Sequence, residues 1–277
     1  MKKYILAFSV SLITLGAVHE LSAQNRFWIA GSASNWNNPL NWSATSGGPG
    51  GASVPVTGNT AVFDGGGAGT CILDVAPNLN AITVSASFSG NIELPANRTI
   101  TTTGSINFAG GTITSGTGAT LTLDVSGTTT FSGTQFDAPL GGVSNRILFN
   151  GSVFNGVVDI TKSENNTDTG TGGNTFNNAV TLRHGGTGEF RLGETNPDIF
   201  NGTLNLVINN TGSIRPARTS AGNQFNGNVV ISYNSTGDVL FGVNGGSSIL
   251  ADTYTISANC AGTGCDDLTL SNFTQIG

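Results

Sequence analysis

In the second half of the chain, short runs of alternating hydrophobic and polar residues return at a nearly constant interval. Four segments align on a phenylalanine: Phe154-Asn155-Gly156, Phe176-Asn177-Asn178, Phe200-Asn201-Gly202 and Phe225-Asn226-Gly227. Their near-regular spacing marks a repeat with a period of about 22–25 residues. Each leads into an alternating run with apolar members Val158/Ile160, Val180/Leu182, Leu204/Leu206 and Val229/Ile231. In the last three units a second run follows a Thr-Gly pair and carries Phe190/Leu192, Ile214/Pro216 and Val239/Phe241. Fainter echoes lie upstream, where Phe131 and Phe108 step back from Phe154 at a similar interval, and strands are predicted over 97–108 and 121–125.

Alternation with period two buries one face of a strand. A unit of ~24 residues holds three strands of about five residues and three turns. That is one coil of a right-handed parallel β-helix, an all-β solenoid. One coil cannot bury its own apolar face, so coils stack, with equivalent residues ~4.8 Å apart. Phe154, Phe176, Phe200 and Phe225 then form an internal aromatic ladder. Asn155, Asn177, Asn201 and Asn226 form a corner ladder of amides, and the glycine that follows supplies a permissive φ. The alternative is an antiparallel β-sandwich, since Asn-Gly is also a hairpin signal. Residue identity kept at a nearly fixed period favours the helix. About 205 residues of repeat predict eight or nine coils and a stack ~40 Å long.

Residues 1–23 are predicted to be a signal peptide. Lys2 and Lys3 precede an apolar run from Tyr4 to Val18, and Leu21-Ser22-Ala23 resembles a cleavage site before Gln24. The run is too short to span a ~30 Å hydrocarbon core. No later stretch approaches a membrane span, so a secreted or surface-bound mature chain is expected.

Residues 24–69 differ from the repeats predicted over 70–277. They hold Trp28, Trp36 and Trp42, within Phe27-Trp28-Ile29-Ala30-Gly31-Ser32 and Asn35-Trp36-Asn37-Asn38-Pro39-Leu40-Asn41-Trp42-Ser43. A solenoid needs its open end covered, so these tryptophans are expected to be the small core of an N-terminal cap. The other reading makes them an exposed platform that stacks on sugar rings.

The opening resembles the tryptophan-rich module, WxGGxGxWxxxxxWS, found at the start of large secreted repeat proteins of Bacteroidota-type bacteria, with Ala30-Gly31 in place of its paired glycines. The Phe-Asn-Gly repeats resemble the arrays of the same proteins. The resemblance implies export, often by type nine secretion, and an adhesin-like or surface-layer role; it carries over no catalytic residue. Those proteins usually end in a sorting domain, whereas this sequence stops at Gln275-Ile276-Gly277 after a predicted strand, Leu268 to Phe273.

Composition narrows the function classes. Charged residues are 9% of the chain and the formal net charge is −6, which speaks against a nucleic-acid binder. Among the cysteines, Cys260 and Cys265 are candidates for a disulfide across Ala-Gly-Thr-Gly, and Cys71 reads as a small buried apolar residue. A metal site is not expected. Asp64-Gly65-Gly66-Gly67 and Gly264-Cys265-Asp266-Asp267 superficially resemble calcium-binding turns, but the nonapeptide pattern does not repeat. Asp266-Asp267 is the adjacent acidic pair, and Asn196-Pro197-Asp198 loosely resembles a polygalacturonase motif. Its Gly-His-Gly and Arg-x-Lys companions are missing in order, with Arg183-His184-Gly185-Gly186 too early. Asp124, Asp137 and Asp159 are scattered, Arg215 and Arg218 read as exposed turn charges, and the threonine runs 101–103 and 128–130 lack a regular ladder spacing. The expectation is an exported, non-catalytic surface scaffold or adhesin-like module without a cofactor. Surface polysaccharides or cell-surface components are its candidate partners, and a carbohydrate-binding or carbohydrate-processing β-helix is the alternative.

Overall fold

The alternating runs fold as parallel strands, each stacked on its counterpart one repeat away. Val158–Lys162 pairs in parallel with Val180–His184, which pairs with Leu204–Ile208, which pairs with Val229–Tyr233. Val158, Ile160, Val180 and Leu182 are buried, while Asp159 between the first two is exposed. The computed structural model describes residues 24–251, 255–260 and 267–276. Its architecture is a parallel β-helix of about nine turns, and a short 3-10 turn, Pro39–Asn41, is the helical element among the described residues. No helix among them is long and apolar enough to cross a membrane.

Three sides make the coil. One is an eleven-stranded sheet running from Ser34–Asn35 through Val153–Phe154, Thr175–Phe176, Ile199–Phe200 and Asn223–Phe225 to Phe273–Ile276. The other two sides merge into a fourteen-stranded sheet because Leu121–Phe131 and Leu140–Phe149 run through the corner between them, with a register shift between Val125 and Thr128. A five-stranded sheet, Asp168–Thr169 to Leu268–Leu270, carries one of these sides onward. The join is made by Gly172 N–H donating to Phe149 O at 3.0 Å and Ile147 N–H donating to the Asp168 carboxylate at 2.7 Å.

The aromatic ladder forms as expected. Ring centroids of Phe154 and Phe176, Phe176 and Phe200, and Phe200 and Phe225 lie 4.8, 4.9 and 5.2 Å apart, with interplanar angles of 6°, 4° and 3°. These distances match the strand spacing, so the rings inherit their stacking from the backbone ladder. Upstream the column runs through Phe136, Ile113 and Ile92 to Cys71. Phe108 and Phe131 do not belong to it, which corrects the upstream echo. They stand in a second column with Phe149 on the adjoining side, and Phe131 meets Phe154 edge-on at 5.4 Å. Phe136 is the true partner of Phe154. The coil between them is shorter than those that follow, and that shortening disguised the register.

Other expected boundaries also shift. The strand expected over 97–108 is two, Arg98–Thr102 and Ile106–Phe108, on different sides of the coil. The one expected from Leu268 to Phe273 is likewise two, Leu268–Leu270 and Phe273–Ile276. The antiparallel sandwich is excluded: among the described strand pairs, one is antiparallel, Phe27 with Ser43 and Trp28 with Trp42. Nor does residue 69 divide a cap from the stack. Asn25–Phe27 pairs in parallel with Thr60–Val62, which continues onto Ala81–Thr83. The segment that covers the end is the excursion that returns through Trp42–Ser43.

The glycines after the corner asparagines serve a purpose other than the one expected. Gly156, Gly202 and Gly227 do not have positive φ. A Cβ on Gly202 would lie 2.4 Å from the carbonyl carbon of Asn178, one coil away. Close stacking of corners, not left-handed backbone, requires them.

Candidate interaction surfaces

The tryptophans pack on one another and on Phe63. Trp28 and Trp42 meet edge-on at 5.3 Å, and Trp36 and Trp42 at 4.7 Å. Phe63 lies 5.9, 5.9 and 5.7 Å from Trp28, Trp36 and Trp42. Two indole N–H groups are satisfied inside the cap, by Gly69 O for Trp28 and Trp36 O for Trp42. The three side chains are 0%, 1% and 0% exposed. The sugar-platform reading of Trp28, Trp36 and Trp42 is therefore corrected: a stacking platform needs an open ring face, and these faces are covered. A groove of about 330 Å³ beside the cap, walled by Val54, Pro55, Val75 and Pro77, reaches Trp36 without uncovering its ring.

The corner asparagines form the expected amide ladder, and it has a direction. Asn226 donates to Asn201 Oδ1 at 2.9 Å, Asn201 to Asn177 at 2.7 Å and Asn177 to Asn155 at 2.6 Å. Asn155 donates to Asp137 Oδ1 at 2.6 Å. An ionised carboxylate only accepts, so Asp137 terminates the chain of donors. Asp137, Asn155, Asn177 and Asn201 are exposed and Asn226 is half-buried, and each amide keeps one N–H beyond the ladder bond. Asp137, scattered in the sequence, is thus the foot of a structural column.

A second polar column lies inside the corner, two positions before each ladder phenylalanine: Ser152, Asn174, Asp198 and Asn223, all buried. Each side chain caps the backbone of the preceding coil. Ser152 Oγ accepts from Gly133 N, Asn174 Oδ1 from Gly151 N and Ser152 N, Asp198 Oδ1 from Asn174 N, and Asn223 Oδ1 from Asp198 N. The Asn196-Pro197-Asp198 resemblance to a hydrolase motif dissolves here, because Asp198 is 1% exposed within this column. Burial pushes its carboxyl up to about 6, partly offset by N–H groups of Asn174, Gly193 and Gly173. Its Oδ2 makes no hydrogen bond.

Lys162, Asp168 and His184 are each 0% exposed. Asp168 accepts from Arg146 Nε at 2.9 Å and from Ile147 N, the Lys162 ammonium donates to Glu164 O, and His184 Nε2 bonds Gly188 O at 2.7 Å. Burial lowers the Lys162 and His184 pKa values and raises that of Asp168. Groups this enclosed hold loops in place and have no surface from which to meet a substrate. Arg183, beside His184 in sequence, points outward and forms a two-bond pair with Asp159 at 2.9 and 3.0 Å.

Arg215 and Arg218 are not the exposed turn charges expected. Their side chains are 22% and 16% exposed, and they sit at the two ends of an alternating chain of charges, Arg215–Glu189–Arg191–Glu194–Arg218. The separations along it are 2.6, 2.5, 3.7 and 2.9 Å. The signal was present: Arg191 and Arg215, and Glu194 and Arg218, each stand one repeat period apart in the sequence. Charges that look scattered along the sequence become neighbours when the coils stack.

The threonine runs alternate inward and outward, with Thr102 and Thr129 buried, so they present no continuous hydroxyl face. Asp64 Oδ1 accepts from Gly66 N at 2.8 Å in a local turn, and no group of three potential metal ligands exists among the described residues. Asp266, of the second calcium-like segment, lies outside the described residues, as do Cys265 and residues 1–23, where a signal peptide is expected. Cys260 is disulfide-bonded, whereas Cys71 is a buried free thiol whose pKa is raised by burial. No protein-family model, no curated protein and no solved structure matches the chain.

Proposed function

We propose that the chain is an exported, non-catalytic surface scaffold with an adhesin-like role. The observation that carries this reading is the ladder system. The aromatic column, the corner amides and the buried capping column all run from coil to coil, so the repeated side chains are spent on holding coil to coil. A stack built this way is stiff along its axis, because each coil is fixed by its neighbours. Its polar outer faces offer weak contacts that multiply when many copies or many ligand repeats engage together.

The test is display. In its native host the chain should be recovered with its mature N-terminus at Gln24 and should be cut by protease added to intact cells. An uncleaved chain retained in the cytosol, protected until the cells are broken, would overturn the proposal.

A further inference from the structure

Glu189 shares one carboxylate between two arginines. Its Oε2 lies 2.5 Å from Arg191 Nε and its Oε1 lies 2.6 Å from Arg215 Nη2. Arg191 and Arg215 are direct partners on adjacent parallel strands, so two like charges stand one strand spacing apart, ~4.8 Å, with one counter-charge between them. Glu194 takes Arg218 through both oxygens, at 3.1 and 2.9 Å, and is 3.7 Å from Arg191. Three guanidinium groups thus meet two carboxylates, leaving one net positive charge on a chain of net charge −6. Arg183 and Arg146 are matched one to one by Asp159 and Asp168, while Arg26 and Arg98 stand singly and bond Ser53, Gln24 and backbone carbonyls.

We propose that the Arg191–Arg215 pair is a carboxylate-binding site for a uronate-bearing polysaccharide. Arginine's planar fork matches a carboxylate in two-bond geometry. Hydroxyls flank the pair: Thr169 stands directly below Arg191 in register, and Ser213 lies beside Arg215, giving partners for sugar hydroxyls. A nucleic acid or an anionic membrane fits less well. A phosphate backbone needs a track of several cations, and here one surplus charge sits on an acidic molecule. A chain that spaces single carboxylates between neutral sugars suits this surface. The proposal rests on the surface-adhesion reading and names the ligand chemistry it would use.

The test uses residues 24–277 and hyaluronan oligosaccharides, which carry one carboxylate per disaccharide, in native and methyl-esterified form. Binding is expected to the native form, to weaken at least tenfold on esterification, and to weaken as salt rises. The double variant Arg191→Gln/Arg215→Gln should lose it at least tenfold, with Arg183→Gln as a control that keeps it. Should the double variant fail to melt cooperatively, Glu189→Gln replaces it, and removing that counter-charge should tighten binding. Equal binding of the esterified oligosaccharide, no response to these variants, or tighter binding to single-stranded DNA would overturn the site. A chain that reaches the cell surface yet binds no native hyaluronan sinks this inference alone; a chain that binds but is never exported sinks the surface reading instead.

Discussion

Asp198 Oδ1 accepts two hydrogen bonds from Asn174, from the backbone N–H at 2.9 Å and from the side-chain Nδ2 at 2.8 Å. The neighbouring coils place asparagine at the equivalent position, so a carboxylate occupies a site built for amides. Because Asp198 is buried, its folded pKa of about 6 lies above the ordinary 3.8. The protonated form is favoured in the folded chain. Its stabilising contribution is therefore full below pH ~4, declines as pH rises through about 6, and is absent above. Asp198→Asn removes this dependence. Unfolding by denaturant at pH 5 and pH 8 should show the variant gaining on the native chain as pH rises, by about 1–1.5 kcal/mol, because pH 5 lies about one unit below the folded pKa. A difference that stays constant between the two pH values would refute the assignment.

Phe200 stacks between Phe176 and Phe225 with both ring faces covered. Phe200→Ala removes a fully buried ring and leaves a cavity, at a cost of about 3–5 kcal/mol. In a solenoid the damage should be local. Hydrogen exchange should show lost protection at Phe176 and Phe225, with Ile92 and Ile113 unchanged. Uniform loss along the whole stack would mean the coils do not act as nearest-neighbour units.

The repeat, the ladder residues and the fold class were legible because identity and period survive together in Phe-Asn-Gly. The earlier coils were harder to read. Their column holds Cys71, Ile92 and Ile113 in place of phenylalanine, and a shortened coil between Phe136 and Phe154 breaks the count. The capping column was visible in principle, as a small polar residue two positions before each ladder phenylalanine, but its burial was not: alternation alone marks only which residues point in, and Asn174, Asp198 and Asn223 are polar residues that do. The charge network was legible in principle, since Arg191 and Arg215, and Glu194 and Arg218, stand one period apart, but the period alone does not show that Glu189 and Glu194 sit between the arginines.

Gly202 faces the backbone of Asn178 with no room for a side chain, whereas Gly116 has nothing within 4 Å and no left-handed φ. Gly202→Ala should destabilise by about 1–3 kcal/mol through overpacking, while Gly116→Ala should be neutral or slightly stabilising by restricting the unfolded chain. Thermal melts of the two variants side by side decide the matter. Equal melts would show that the corners can part without cost.

Trp42 decides between the cap and the sugar platform. Its ring is buried against Trp28, Trp36 and Phe63, and its N–H donates to Trp36 O at 2.8 Å. Trp42→Ala should therefore cost about 3–5 kcal/mol and shift the fluorescence of Trp28 and Trp36 toward that of wetted indoles. Binding of hyaluronan, measured well below the melting temperature, should be unchanged, since the arginine pair lies on coils far along the stack from the cap. The converse pattern, an intact melt with lost sugar binding, would return the tryptophans to the ligand. It would require their faces to open in solution, because a ring that stays covered on both sides cannot stack on a sugar.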